Sequence, residues 1–174
     1  APGSYMQRAL NSLTYLGPLR EIPKRNYEHE LSPDESRWAS GLAAWDVLAN
    51  GDEEFIDDVN HWLENKLDSN YRVIKKSFKE LDIFSPVFAS MNKENILDEW
   101  EDLMAEIIKL PNNTRLCLEE ISTGIEVKPY DVGVGISQVL PVIVMTLKSK
   151  GKFMLIEQPE LHIHPRFQVE LGDL

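Results

Sequence analysis

The stretch that decides the fold is residues 153–165, which read FMLIEQPELHIHP. Four apolar residues run directly into an acid, an amide and a proline. A continuous apolar run of this kind predicts a strand of a parallel sheet that is covered on both faces. Ligands of open α/β sheets bind at the carboxyl ends of such strands. We therefore expect the Glu157 carboxylate at a site where it can hold a metal ion or polarise a water molecule.

A second unusual stretch lies about twenty residues upstream, where residues 131–138 read DVGVGISQ. Gly133 and Gly135 permit close approaches that a side chain would block. Ser137 and Gln138 follow at the start of a predicted helix, whose first amides attract anions, and the serine hydroxyl adds a donor. The stretch is built like a phosphate cradle, although an isolated Gly-x-Gly before a helix also fits a tight turn or a helix cap.

Composition limits the class of protein. The chain has 174 residues, of which 43% are apolar and 27% charged, which is typical of one globular domain with a hydrophobic core. A net charge of −11 does not support a basic groove for nucleic acid. We therefore expect DNA binding, if the protein has it, only in a longer form of the protein. The longest apolar run, 139–147, is too short to cross a bilayer, which predicts no membrane contact.

The expected location is the cytoplasm. The first residues, APGS, lack the basic and apolar regions of a secretory signal. The single cysteine, Cys117, excludes an internal disulfide, and its apolar neighbours predict a buried small side chain rather than a nucleophile.

We divide the chain into three regions, 1–30, 31–110 and 111–174. In the first region, Tyr15–Arg20 predicts a strand followed by a Gly-Pro turn. The basic residues Arg20, Lys24 and Arg25 fit either a solvated loop or a contact with a phosphate or a partner.

The second region is predicted to be largely helical. One helix should begin at the Ser32 cap and end at Asn50-Gly51, and the apolar spacing continues over 55–63. A further helix is predicted along 96–108, ended by Pro111. The tryptophans follow the apolar stripes, so they are assigned to the core rather than to a base-stacking surface. Residues 71–74 fit a strand within an otherwise ambiguous stretch.

The third region predicts an α/β unit. Residues 115–121 and 125–130 form a hairpin through Ser122-Thr123-Gly124. A helix over 137–148, a strand over 152–156 and a helix beginning at Pro165 complete the unit. The fold class expected is therefore α/β with a largely helical subdomain.

Together the two motifs resemble the ABC-type ATPase heads, in particular the RecF/SMC-like and OLD-like branch of bacterial AAA ATPases. That branch has a G-x-G-x-S-Q signature, matched here by residues 133–138, and a Walker B strand continuing as D-E-P-E-L-H-L-H-P, matched by 157–165. The resemblance is strong over 130–174 and moderate over 15–28, whereas no motif matches over 31–110. It implies part of a P-loop NTPase fold that binds ATP and Mg²⁺.

The resemblance also implies residue roles. Glu157 falls on the Walker B acid that holds Mg²⁺, and Gln158 falls on the catalytic glutamate that activates water. Gly133, Gly135, Ser137 and Gln138 would contact the γ-phosphate of ATP held by the Walker A loop of a second head, in a homodimer or with a complementary chain. His164 falls on the loop that crosses this dimer interface.

The chain departs from the family pattern in two places. Gln158 can hold a water molecule by hydrogen bonds but cannot take its proton, so hydrolysis is expected to be slow unless Glu160 or Glu157 substitutes. The chain contains no Gly-x-x-x-x-Gly-Lys-Ser/Thr sequence, which supplies the main phosphate grip. We therefore expect a middle and C-terminal part of an ATPase head, which binds ATP poorly by itself.

The function implied by the resemblance is an ATPase head that couples dimer closure to an effector, such as a nuclease, in DNA maintenance or phage defence. A nonenzymatic regulatory or assembly module with a degenerate ATPase fold is the main alternative. An unrelated hydrolase with a Glu157–Glu160 carboxylate pair is a further one. Zinc binding by His162 and His164 would need a third ligand that the spacing does not offer.

Overall fold

The computed structural model describes residues 13–24, 27, 29–91, 100–150 and 152–174. The described strands are β1 (Thr14–Leu16), β2 (Tyr71–Phe78), β3 (Asn113–Glu120), β4 (Ile125–Val127) and β5 (Met154–Ile156). The described helices are α1 (Glu35–Ala39), α2 (Leu42–Asn50), α3 (Glu53–His61), α4 (Pro86–Met91), α5 (Trp100–Lys109), α6 (Val134–Lys148) and α7 (Pro165–Leu171). Two compact units are present: residues 75–115 form the smaller unit, and the remaining residues form the larger one.

The larger unit contains a parallel strand pair. Strands β1 and β5 are hydrogen-bonded in parallel, with Thr14 opposite Met154 and Leu16 opposite Ile156. The pairing extends past β5, because the amide of Glu157 donates to the carbonyl of Leu16 at 2.9 Å. Parallel strands need a crossover between them, and here the helices of the larger unit lie in it. The mixed α/β fold predicted from the sequence is confirmed, and it is consistent with a P-loop NTPase-like AAA domain.

Strand β5 is less buried than its apolar sequence predicts. The side chain of Phe153 is 71% exposed and that of Leu155 is 48% exposed. The expectation of a strand covered on both faces is therefore wrong for the described residues. The exposed Phe153 and Leu155 alternate with Met154 and Ile156, which are partly buried against a small core cluster, so one face of β5 is covered and the other is open to solvent.

Helix α6 forms the centre of the larger unit. Its residues from Ile136 to Met145 are all buried, and it packs against α2 and α3. The helix begins at Val134, three residues before the predicted start. It also contains Pro141, whose missing N–H leaves the carbonyl of Ser137 without its intrahelical donor.

The single helix predicted from Ser32 to Asn50 is two helices. Asp34 caps α1 by accepting from the amide of Arg37, so Ser32 is not the cap. The chain then turns at Gly41, whose φ of +82° is in the left-handed region that favours glycine, and α2 begins at the next residue. The predicted end at Asn50-Gly51 is confirmed.

The rest of the larger unit follows the predicted pattern more closely. Helix α3 continues into a π-helical turn over Trp62–Lys66, and its apolar face joins the core. Trp45 is buried in that core, as predicted, and so is Cys117. Strands β2, β3 and β4 form a sheet in that order, with β3 and β4 antiparallel as a hairpin. Strand β4 stops at Val127, earlier than predicted, because a 3₁₀ turn begins at Pro129.

The smaller unit contains residues 75–78 of β2, residues 113–115 of β3 and the helices α4 and α5. Lys79 donates to the carbonyls of Ile108 and Leu110, at 2.9 and 2.5 Å, which caps the end of α5. Trp100 is 48% exposed, so this tryptophan is not a core residue. The part of the predicted helix face at 96–97 lies outside the described residues. No helix in the described part of the chain is long and apolar enough to span a bilayer.

Candidate functional site

The turn after β5 presents polar groups to solvent. Glu157, Gln158 and Glu160 are all exposed. Two residues of this turn adopt left-handed backbone conformations, Gln158 with φ of +44° and His162 with φ of +61°. Such conformations cost on the order of 1–3 kcal/mol each in non-glycine residues, and they concentrate at functional sites. The carboxyl end of β5 is therefore a strained, accessible turn at the position where α/β sheets bind ligands.

Glu157 has a protein partner on the neighbouring strand. The Tyr15 side chain lies close enough to its carboxylate for the two groups to interact electrostatically. Desolvation, and then the charge of Glu157, raise the pKa of the Tyr15 phenol above its usual value, so Tyr15 stays a protonated donor at neutral pH. Gly17 permits the close approach of this strand end to α1, since a Cβ there would lie only 2.8 Å from the carbonyl oxygen of Ala39.

The first turn of α6 lies beside the turn after β5. A Cβ on Gly135 would stand 3.7 Å from the carbonyl oxygen of His162, so the two motifs meet in one chain. Gly133 is the N-cap residue, and it is exposed, as is Val134. The first amides of a helix have no intrahelical acceptor and carry a partial positive charge. This turn is therefore a surface that can accept an anion.

The side chains of Ser137 and Gln138 point away from that surface. Ser137 is completely buried, and its hydroxyl has no hydrogen-bond partner among the described residues. Gln138 is also buried, and its amide nitrogen donates to the carbonyl of Arg20 at 2.8 Å. In this conformation neither side chain is available to a nucleotide on a second chain. The residues of this turn that face solvent are instead Gly133 and Val134.

Arg20 is a site residue whose role the sequence did not reveal. It is only 4% exposed, so the prediction of a solvated loop is wrong at this position. Its guanidinium donates to the carbonyls of Glu157 at 3.0 Å, Gln158 at 3.1 Å and Gln138 at 3.3 Å. Burial lowers the pKa of Arg20, and the nearby Glu160 carboxylate opposes that effect. The one available signal was the position of a cation directly after a Gly-Pro turn.

The two histidines of the turn do not form a metal site with other described residues. His164 is the N-cap of α7, where its Nδ1 accepts from the amide of Arg166 at 3.3 Å. His162 is exposed and occupies one of the left-handed positions. No group of three or more His, Cys, Asp or Glu side chains suited to a metal ion occurs within the described ranges.

A single exposed carboxylate at the end of a strand suits Mg²⁺. It does not suit a metal ion that takes all its ligands from the protein. Magnesium usually keeps several waters and binds one or two carboxylates together with phosphates of a substrate. Glu157 is one exposed carboxylate of this kind, and the first turn of α6 lies next to it. The donor set of the site is therefore compatible with a nucleotide–magnesium complex.

Comparisons with known proteins are consistent with this geometry. No curated protein and no solved structure matches the chain. One family model matches residues 13–174, and it is described as "AAA domain, putative AbiEii toxin, Type IV TA system". Because the match covers both motifs and the helices between them, the chain belongs to this family of ATPase-like AAA domains.

Proposed function

We propose that this chain forms part of an ABC-type ATPase head, which contributes a Walker B edge and a signature edge to ATP sites in a head-to-head dimer. The observation that carries the proposal is the placement of Glu157, exposed at the carboxyl end of a parallel strand. The neighbouring first turn of α6 supports it by offering amides to an anion. A Walker A loop would come from sequence other than these 174 residues.

The chemistry follows from the two residues after β5. When bound, Mg²⁺ would offset charge that develops on the phosphates during transfer. Glu157 would hold that ion, with the Tyr15 phenol beside its carboxylate. Gln158 would hold a water molecule by hydrogen bonds without taking its proton. ATP binding would then close the dimer quickly, while hydrolysis would reopen it slowly.

Dimerisation offers a direct test, because charge can be added at the signature edge without disturbing the fold. Val134 is 51% exposed in the first turn of α6. An aspartate there stabilises the helix terminus but repels a phosphate. In the protein that carries both this chain and a Walker A loop, Val134→Asp should abolish the dimer that Mg²⁺ and ATP induce, as measured by sedimentation velocity.

The matched control is Val169→Asp, which places the same charge on the exposed side of α7, where residue 169 is 73% exposed. This variant should dimerise like the unaltered protein. If Val134→Asp also dimerises normally at the same ATP concentration, the first turn of α6 does not face a nucleotide and the signature role fails.

The identity of residue 158 tests the slow-hydrolysis part of the proposal. General-base assistance is typically worth about 10²–10⁴-fold in rate. Gln158→Glu should therefore raise kcat for ATP by at least about tenfold while leaving ATP-induced dimerisation intact. A turnover no faster than that of the parent would mean that proton removal at this position does not limit the rate.

The coupling of this closure to an effector is an extension by family analogy. Heads of the resembling branch act on partners such as nucleases, in DNA maintenance or phage defence, and the family name points to toxin–antitoxin systems. The fold does not select among these outputs. The effector would be identified as a protein that copurifies with the complete protein in the presence of ATP and that the Val134→Asp change releases.

A further inference from the structure

The segment that follows β1, residues 17–21, has no role in the nucleotide and metal binding proposed above. It runs beside the end of α1, where the amides of Gly17 and Glu21 donate to the carbonyls of Ala39 and Ser40 at 2.9 and 2.8 Å. Both ends of the segment are therefore fixed by backbone hydrogen bonds. This anchoring holds Arg20 in the interior of the larger unit.

The Arg20 side chain connects two segments that are far apart in sequence. Its Nη2 donates to the carbonyls of Glu157 and Gln158, and its Nη1 donates to the carbonyl of Gln138, 118 residues away in the chain. The guanidinium is planar, so three acceptors that share it are held in a fixed mutual arrangement. A lysine ammonium is a point charge on a flexible stem and cannot impose that geometry.

The connection is reciprocal. The Gln138 side chain donates back to the Arg20 carbonyl, so side chain and backbone of both residues take part. Gly41 lies directly against the link, because a Cβ there would be 3.2 Å from the Arg20 Cβ and 3.5 Å from the Pro141 Cβ. Gly41 therefore allows Arg20 and Pro141 to pack closely on either side of it.

Hydrogen bonding at this junction is incomplete. The Nε of Arg20 and the hydroxyl of Ser137 are both buried without a partner among the described residues. An unsatisfied buried donor loses its hydrogen bonds to water without a replacement and is therefore destabilising. Gln158, whose carbonyl Arg20 binds, has a left-handed backbone. The junction therefore combines a strained backbone with buried polar groups that lack hydrogen bonds. A core that only stabilises the fold normally has neither.

We propose that Arg20 is a positioning residue that links the first turns of α6 to the turn after β5, so that a displacement of either segment shifts the other within the same chain. The consequence for catalysis rests on the function proposed above. A nucleotide bound against the amides at the start of α6 would, through Arg20, change the position of Glu157 and Gln158 at the second site of the dimer.

The first experiment needs no nucleotide. We expect Arg20→Lys to speed amide hydrogen exchange at least about tenfold in both segments, 133–138 and 157–163, and to leave the β3–β4 hairpin unchanged. Arg72→Lys is the matched control, because Arg72 forms an exposed ion pair with Glu119. It should change exchange in neither segment. If exchange rises in only one of the two segments, or equally throughout the protein, the link is overturned.

The unaltered protein provides a second measurement should Arg20→Lys fail to fold. Three carbonyl acceptors should slow rotation about the guanidinium bonds of Arg20. Separate, slowly exchanging Nη–H signals for this residue in an NMR spectrum are the expected result. A rapidly rotating guanidinium would contradict the proposal without any substitution.

The third experiment uses the protein that carries both this chain and a Walker A loop. Misplacement of catalytic groups by about 1 Å can cost on the order of 10²-fold in rate. Arg20→Lys should therefore lower kcat by about 10- to 100-fold and change KM for ATP by less than about threefold. A normal kcat despite faster exchange in both segments would overturn the positioning role. An unaltered protein that shows the link but has no ATP-dependent dimer or turnover would instead overturn the proposed function and leave the link standing.

Discussion

Two arginines in the larger unit differ in their partners. Arg37 donates from Nε and Nη2 to the carboxylate of Asp46, at 2.8 Å each, and its Nη2 also donates to the Tyr27 hydroxyl. Arg20 donates only to backbone carbonyls, and its Nε has no partner among the described residues. Both arginines make charge-assisted hydrogen bonds, but only Arg37 is paired with an opposite charge in a two-pronged geometry. The comparison indicates that Arg37 stabilises the fold, whereas Arg20 positions the site.

The Asp46 cluster is a complete polar network. The Asp46 side chain has no solvent exposure, and it accepts from Arg37, from the Tyr27 hydroxyl at 2.6 Å and from the Glu30 amide at 2.9 Å. Asn50 adds hydrogen bonds to the carbonyls of Glu30 and Asp46. Buried polar networks with every member satisfied rigidify the structure around them. This cluster fixes α1, α2 and the chain preceding them.

The largest expected effect comes from breaking that network. Removing one partner of a buried ion pair leaves an uncompensated charge, which typically costs about 3–5 kcal/mol. Asp46→Ala should therefore lower the free energy of unfolding by that amount, measured by urea denaturation. A loss below about 1 kcal/mol would mean that Arg37 and Tyr27 find other partners.

A smaller loss of stability is expected from a substitution at Gly41, which packs against the side chain of Arg20. Its φ of +82° makes any other residue costly, and a Cβ would approach the Arg20 Cβ at 3.2 Å. Gly41→Ala should lower the free energy of unfolding by about 1–3 kcal/mol. It should also raise amide exchange at 157–163, because the added methyl group displaces Arg20. Gly124→Ala is the control, since its φ is similarly positive but a Cβ there meets nothing within 4 Å.

Acid should weaken the network in a defined direction. Burial alone would raise the pKa of Asp46, but the hydrogen bonds from Arg37, Tyr27 and the Glu30 amide outweigh it, and the pKa lies below the ordinary value of 3.8. The cluster therefore contributes its full stabilisation above about pH 5, and that contribution falls as the pH drops through 3.8 towards the lower folded pKa. The pH dependence of unfolding should be shallower in Asp46→Asn across this acidic range.

The smallest effect is expected at an exposed ion pair. Arg72 and Glu119 are joined at 2.6 Å, with side chains 44% and 20% exposed. Exposed pairs are typically worth less than about 1 kcal/mol. Glu119→Gln should therefore change the thermal midpoint by only a few degrees. A loss as large as that of Asp46→Ala would remove the distinction between surface pairs and the buried network.

Local patterns predicted much of the secondary structure. The parallel strand ending at Glu157, the β3–β4 hairpin and the helix beginning at Pro165 follow from apolar runs and turn residues, which act over short distances. The break at Gly41 was missed because an isolated glycine inside an apolar helical pattern is often tolerated, and only its neighbours in space show why it is needed.

The site was predicted less completely, since its decisive contacts are long-range. No pattern in the sequence shows that Arg20 reaches carbonyls more than a hundred residues away. The burial of Ser137 depends on how α6 is rotated against its neighbours, which the signature motif does not specify. The exposure of Leu155 depends on what packs against that face of β5, which its own apolar sequence does not determine.

The most direct test of the account is the affinity of the metal at Glu157. Electron paramagnetic resonance of Mn²⁺ in place of Mg²⁺, with ATP bound to the protein that carries both this chain and a Walker A loop, reports that affinity. Glu157→Gln should weaken Mn²⁺ binding at least about tenfold, while Glu126→Gln, on an exposed strand of the hairpin, should leave it unchanged. Equal Mn²⁺ affinity in Glu157→Gln and the unaltered protein would contradict the assignment of this strand end as the metal-binding edge of an ATP site.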